Sequence, residues 1–260
     1  MTNAVKRRSS SRKKKRATKK PSTKGEGSKG EGYLWCVVYI ALFVVGWTSL
    51  LIKYHYDLHH LFNKTQICLA LFLVINTMIC LWEIALFIHI PLIKRNSERL
   101  LRKTPRGSLG TLFLFQPLSL RAALSLETWT EIWTVYSLVD TSYANSDSFG
   151  WSIDTGNGIS ALVPSVVLAI GMSNHDLMSP KTLGCIGLAS YWQMCYGTLL
   201  YFFQYVYHKR WKKHGNSWMH IVCLVVMTNV FWIVFPLLGM LTSVRMIQAE
   251  DATAAWAWLK

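Results

Sequence analysis

Apolar residues in this chain fall in long, nearly unbroken runs. Four of them, 33–53, 66–90, 182–206 and 219–244, reach the roughly 20 residues that a membrane-spanning helix needs. A fifth, 153–172, is shorter and opens on polar residues. The pattern predicts an all-α fold, a polytopic transmembrane helix bundle of about five spans. The stretch 109–139 is also apolar, but Gln116, Arg121, Glu127 and Glu131 interrupt it. We read it as an interfacial or re-entrant helical segment, not a sixth span.

Charge sits elsewhere. Residues 1–30 hold 12 Lys/Arg and one acid, Glu26. This tail has no aromatic residue and is rich in Ser, Thr, Gly and Lys. It cannot bury enough surface to fold, so disorder is expected. The organisation is then a polybasic tail over 1–32, a helical membrane domain over 33–247 and a short C-terminal tail over 248–260. The tail lacks the apolar core of a signal peptide. Of the 28 Lys/Arg in the chain, five spans with a cytosolic N-terminus place 23 on the cytosolic side. Only Lys53, Lys64, Lys181, Arg245 and Lys260 fall on the other. That asymmetry predicts an integral membrane protein with its N-terminus in the cytosol. The sequon Asn63-Lys64-Thr65 then lies outside.

The same charge limits the partners. The tail and the 94–106 loop serve as topology determinants, or adhere to anionic lipid headgroups. Nucleic-acid binding is not expected, because no aromatic interleaves the basic residues. A homodimer stays open. All six cysteines lie in apolar spans and none forms a C-x-x-C pair, so neither a disulfide framework nor a metal site is expected. His55, His59 and His60 form an H-x-x-x-H-H group. No other histidines repeat it, and it reads as polar residues at a helix end, not as metal ligands.

Four further groups carry candidate chemistry. Glu83 lies well inside the second run, where an ionisable side chain is costly and should face a cavity or a partner. Asn76, seven residues earlier, shares its helix face. Asp154-Thr155-Gly156-Asn157-Gly158 opens the third span, and Pro164 should free the carbonyl of Ser160 within it. Gln193 and Tyr196 lie in the fourth span. Asn229 and Trp232 share a face in the last span, with Pro236 beyond them. An indole face attracts positive charge, more strongly when dry. Each group taken alone could also be an inter-helix contact.

Taken in order, these residues resemble a known pattern. Trp133-x-x-Tyr136-x-x-x-Asp140-x-x-Tyr143, Asp154-Thr155 with Pro164, Gln193-x-x-Tyr196-Gly197-x-x-x-Tyr201-Phe202 and Asn229-x-x-Trp232-x-x-x-Pro236 resemble the emopamil-binding protein family. These are the EXPERA-domain membrane proteins that include the sterol Δ8–Δ7 isomerase. The resemblance implies a bundle around a sterol cavity, in the endoplasmic reticulum membrane. It implies Glu83 and Asp154 as proton-handling carboxylates, Trp232 facing a carbocation and Asn229 orienting an acid or a cationic ligand. Tyr136, Thr155, Gln193, Tyr196 and Asn76 would line the sterol site. No cofactor is required. Ile79 stands where the family isomerase has a histidine, and Asp154 where it has a glutamate. Two functions therefore remain open: a sterol isomerase, and a non-catalytic sterol- or lipid-binding protein. A transporter would show inverted repeats, and none is seen.

Overall fold

A computed structural model describes residues 33–105, 113–146, 149–174, 176–212 and 218–249. The tail over 1–32 and the chain beyond 249 lie outside the described residues, and so do Arg106, His175 and Lys213.

The chain enters through a three-residue strand, β1 (Tyr33–Trp35), and passes directly into α1 (Cys36–His59). His60 ends α1 in the left-handed conformation, φ 51°, with its N–H on the Tyr56 carbonyl. Asn63 then starts α2 (Lys64–Ile88), its side chain accepting from the backbone N–H of Gln66. This cap satisfies one of the free N–H groups of the new helix and turns the chain back. α1 and α2 thus form an antiparallel hairpin. α2 is the central helix: 56% of its most apolar stretch is buried, against 11% for α1.

Helix α3 (Ile90–Lys103) follows after His89, with Pro91 in its first turn, where a missing N–H costs nothing. The described part of the interrupted apolar segment forms a 3₁₀ turn (Phe113–Phe115), β2 (Pro117–Ser119), α4 (Leu120–Ala123) and α5 (Leu126–Tyr136). β2 pairs antiparallel with β1, Tyr33 opposite Ser119 and Trp35 opposite Pro117. The chain is predominantly helical, as expected; the run pattern does not announce this short ladder, and α1 begins at Cys36, not at 33. The cause is tertiary: the partner strand lies some eighty residues away. α5 packs between α2 and α3, and the Trp133 indole donates to the Trp82 carbonyl at 2.7 Å.

A short α6 (Ser142–Asn145) leads to α7 (Phe149–Ser160) and α8 (Leu162–Gly171). α7 and α8 meet at a 49° bend. Pro164 lies just past the break, and its ring cannot accommodate the carbonyl of Ser160 in a straight helix. Ser179 caps α9 (Pro180–Tyr207), which is followed by a 3₁₀ turn at Arg210–Lys212. α10 (Trp218–Ile221), a π-helical turn (Val222–Met227) and α11 (Thr228–Gln248) make one continuous helix. α9 and α11 approach closely along small residues. A Cβ at Gly184 would lie 2.6 Å from the Ser243 carbonyl oxygen, and one at Gly239 2.5 Å from the Tyr191 ring. Glycine is what such backbone proximity requires.

Among the described residues three helices, α1, α2 and the α10–α11 unit, are long and apolar enough to cross a membrane, and the bent α7–α8 pair makes a fourth if it is one span. α9 has 28 residues but is diluted by Gly, Ser, Gln and Tyr. The bundle has two distinct ends. His55 and His59, near the end of α1, contact the Ser173 hydroxyl and carbonyl at 3.1 and 2.8 Å. They fasten the α1–α2 turn to the chain entering α9. β1, α3 and the far end of α9 lie at the opposite end.

Candidate functional site

A cavity of about 440 Å³ opens between α1, α2, α5, α7, α9 and the α10–α11 helix. Its volume falls within the range of small-molecule sites, about 300–1,000 Å³. The wall is mainly apolar and aromatic, with Ile40, Ile79, Trp82, Trp133 and Leu224 among its residues. Among the described residues no lysine, arginine or histidine lines it. Glu83, Asp154, Asn157, Asn229 and Trp232 supply polar groups.

Glu83 enters from α2 and is only 6% exposed. α7 crosses above it at Gly158. A Cβ at that position would lie 2.7 Å from the Cβ of Glu83 and 3.1 Å from the Cys80 carbonyl oxygen. Asp154 stands one turn before Gly158 on the same helix face. The glycine contact therefore brings α7 close enough for both carboxyl groups to share the cavity. Tyr143 lines the same cavity as Asp154. Tyr143 is 2% exposed and stacks on Trp133 with ring centroids 5.4 Å apart. Tyr136 and Tyr201 close the same wall, their hydroxyls 2.8 Å apart.

Trp232 reaches the cavity from α11. Its indole Nε1 donates to Asn76 Oδ1 at 2.8 Å, and Asn76 Nδ2 donates to Ser165 Oγ at 2.9 Å. Asn229, one turn earlier, donates to the Val225 carbonyl at 2.7 Å and lines the cavity with Tyr136. The π-helical turn just before α11 is part of this arrangement. A wide turn inserts one residue into the helical register, and here Leu224, Thr228, Asn229 and Trp232 all line the cavity. The run Val222–Met227 holds neither Gly nor Pro, so nothing in the sequence announces that turn.

Five of the nine candidate residues thus face one cavity: Glu83, Asp154, Trp232, Asn229 and Tyr136. Asn76 stands behind it, holding the Trp232 indole. The other three lie elsewhere. The Thr155 hydroxyl is turned back onto the Trp151 carbonyl of its own helix, at 2.9 Å. Gln193 is exposed on α9 and bonds Asn157 Oδ1 and Ser160 Oγ at 2.8 and 2.6 Å, so it joins α9 to α7. Tyr196 is 48% exposed and stacks on Trp192. Position in the α9 helix decides this: Gly197, Thr198 and Tyr201 take the inward face.

Sequence reasoning also missed a buried ion pair beside the site. Arg210 Nη1 donates to both carboxylate oxygens of Asp140, at 2.8 and 3.0 Å, and to the Ser142 hydroxyl. Asp140 also accepts from the Ser142 N–H at 3.1 Å. The pair ties the 3₁₀ turn after α9 to the segment that carries Tyr143. Arg210 reads in sequence as one more loop cation, and only its 8% exposure sets it apart.

Among the described residues no group of three or more His, Cys, Asp or Glu side chains could hold a metal ion. Searches against family models, curated proteins and solved structures find no match to this chain.

Proposed function

We propose that this protein acts on a sterol-like lipid within the membrane, shifting a ring double bond from the Δ8 to the Δ7 position. The observation that carries the reading is the convergence of Glu83 and Asp154 with Trp232 on one mainly apolar cavity. A carboxyl pair in such a site can divide the roles of proton donor and acceptor. One carboxyl group delivers a proton to C9 of the C8=C9 alkene, leaving a cation at C8. The other removes a proton from C7, giving the C7=C8 alkene. Composition is unchanged and no cofactor takes part. The Trp232 indole, held by Asn76, stabilises the cation through its ring face.

The chain is an EXPERA-type relative of the emopamil-binding proteins, with α9 as a fifth span. It resides in the endoplasmic reticulum membrane with its N-terminus in the cytosol, and its basic tail rests on anionic headgroups. The second reading, a non-catalytic sterol- or lipid-binding protein, is favoured by one observation. Ile79 lines the cavity at the position where the family isomerase has a histidine.

Complementation of a cell lacking sterol Δ8–Δ7 isomerase, followed by sterol profiling, separates the two. The isomerase reading expects Δ8-sterols to fall with the wild-type chain and to persist with Glu83→Gln. Persistent Δ8-sterols despite good expression of the wild type would leave the binding reading.

A further inference from the structure

Exposed charge is divided unevenly between the two ends of the bundle. At the α1–α2 turn, Lys53 is paired with Asp57 at 2.5 Å, and Lys64, Lys181 and Arg245 are accompanied by Asp176. At the opposite end, α3 alone exposes Lys94, Arg95, Arg99, Arg102 and Lys103 against a single exposed acid, Glu98. Arg121, Lys209 and Lys212 are exposed at that same end, with Glu127. The other face of α3 is fully committed to the protein. Ile93 and Ser97 are 0% exposed, and Asn96 Nδ2 donates to Glu131 of α5 at 3.2 Å. The helix is therefore held with its cations outward. None of the five is within ion-pair distance of a carboxylate among the described residues.

The place of α3 in the fold identifies what these cations meet. α3 starts two residues after α2 leaves its apolar stretch, where Phe87 and Ile88 are 50% and 56% exposed. The same end exposes Tyr33 and Trp35 just before α1, and Leu120 and Leu124 on α4, all at 57% or more. Aromatic and apolar side chains left uncovered at the end of a span mark the depth of lipid headgroups. A cationic helix face at that depth is complementary to phosphate oxygens, which accept hydrogen bonds from guanidinium and ammonium groups.

We propose that the outer face of α3 is a headgroup-binding surface for anionic phospholipids. The surface is independent of the chemistry assigned to the cavity. It is also distinct from the basic tail, which contributes none of these residues.

The test uses the full chain, reconstituted in nanodiscs of phosphatidylcholine with a minor share of phosphatidylserine. Lipid retained after a detergent wash is quantified by mass spectrometry. Wild type is expected to retain phosphatidylserine severalfold above its share in the input. Each interfacial cation is worth roughly fivefold in attraction to an anionic surface. Replacing Lys94, Arg95, Arg99, Arg102 and Lys103 with Gln should therefore abolish the enrichment, and Arg99→Gln with Arg102→Gln should halve it or more. Exchanging Lys for Arg and Arg for Lys across α3 should preserve it, and so should Lys64→Gln with Lys181→Gln at the other end. Enrichment that survives the five Gln substitutions would overturn the proposal. So would its loss in the charge-conserving exchange, or on removal of residues 1–30 alone. Retention of nucleic acid or an acidic protein in place of phosphatidylserine would overturn it as well.

Discussion

The Trp232 indole N–H donates to Asn76 Oδ1 at 2.8 Å, across the interface between α11 and α2. This bond fixes the plane of the α11 tryptophan that lines the cavity together with both carboxyl residues. Asn76 is 3% exposed and its amide is also bonded to Ser165. Removing it leaves the buried Ser165 hydroxyl and the half-buried Trp232 indole N–H without this partner. Asn76→Ala should destabilise the protein by about 1–3 kcal/mol, measured by thermal unfolding in detergent. Trp232→Phe keeps an aromatic ring but loses the donor. In a double-mutant cycle the two changes should couple by about 0.5–3 kcal/mol.

Removing one partner of the Arg210–Asp140 pair should cost more. It strands a buried charge, a loss of about 3–5 kcal/mol. Arg210→Met and Asp140→Asn should each lower the unfolding temperature sharply. The double variant should recover much of the loss, because neither charge then stays buried alone.

Gly158 tests the closeness of α7 to α2. A methyl group there would meet the Glu83 Cβ at 2.7 Å and the Ile84 backbone nitrogen at 3.0 Å. Backbone cannot yield as a flexible side chain would. Gly158→Ala should cost about 1–3 kcal/mol by overpacking and move Asp154 away from Glu83, so turnover should fall further than stability. Gly156 meets nothing within 4 Å. Gly156→Ala should be neutral or stabilising, by up to about 1 kcal/mol.

At the α3–α5 contact, burial raises the Glu131 carboxyl above its usual value of 4.5, with Asn96 and Arg99 opposing. The folded state then holds the proton more tightly than the unfolded chain. The stability that this supplies is full below pH 4.5 and is lost as pH rises through the raised value. Glu131→Gln should flatten that slope and be the more stable of the two proteins at neutral pH, read from unfolding temperatures across pH 4 to 7.5.

The carboxylates were legible in the sequence because the membrane makes charge conspicuous. Glu83 and Asp154 stand out within apolar runs, and Asn229 and Trp232 by spacing on one helix face. Gln193 and Tyr196 stand out equally, yet face away from the cavity. Polarity in a span shows that a residue needs a partner, not which helix supplies it. The α9 surface is polar on more than one side, and no period distinguishes its inward face. The β1–β2 ladder and the Arg210–Asp140 pair depend on segments about 80 and 70 residues apart, so local pattern says nothing of them. The π-helical turn rests on an unmarked apolar run.

The most direct test of the central claim is isotopic. Purified protein, reconstituted in vesicles with a Δ8-sterol, is incubated in D₂O and the product is analysed by mass spectrometry and NMR. The account expects a Δ7-sterol carrying one deuterium at C9. It also expects turnover to drop by about 10²–10⁴ in Glu83→Gln and in Asp154→Asn, with sterol binding and unfolding temperature retained. Unchanged Δ8-sterol with no deuterium, in a wild-type protein that binds it, would contradict the account.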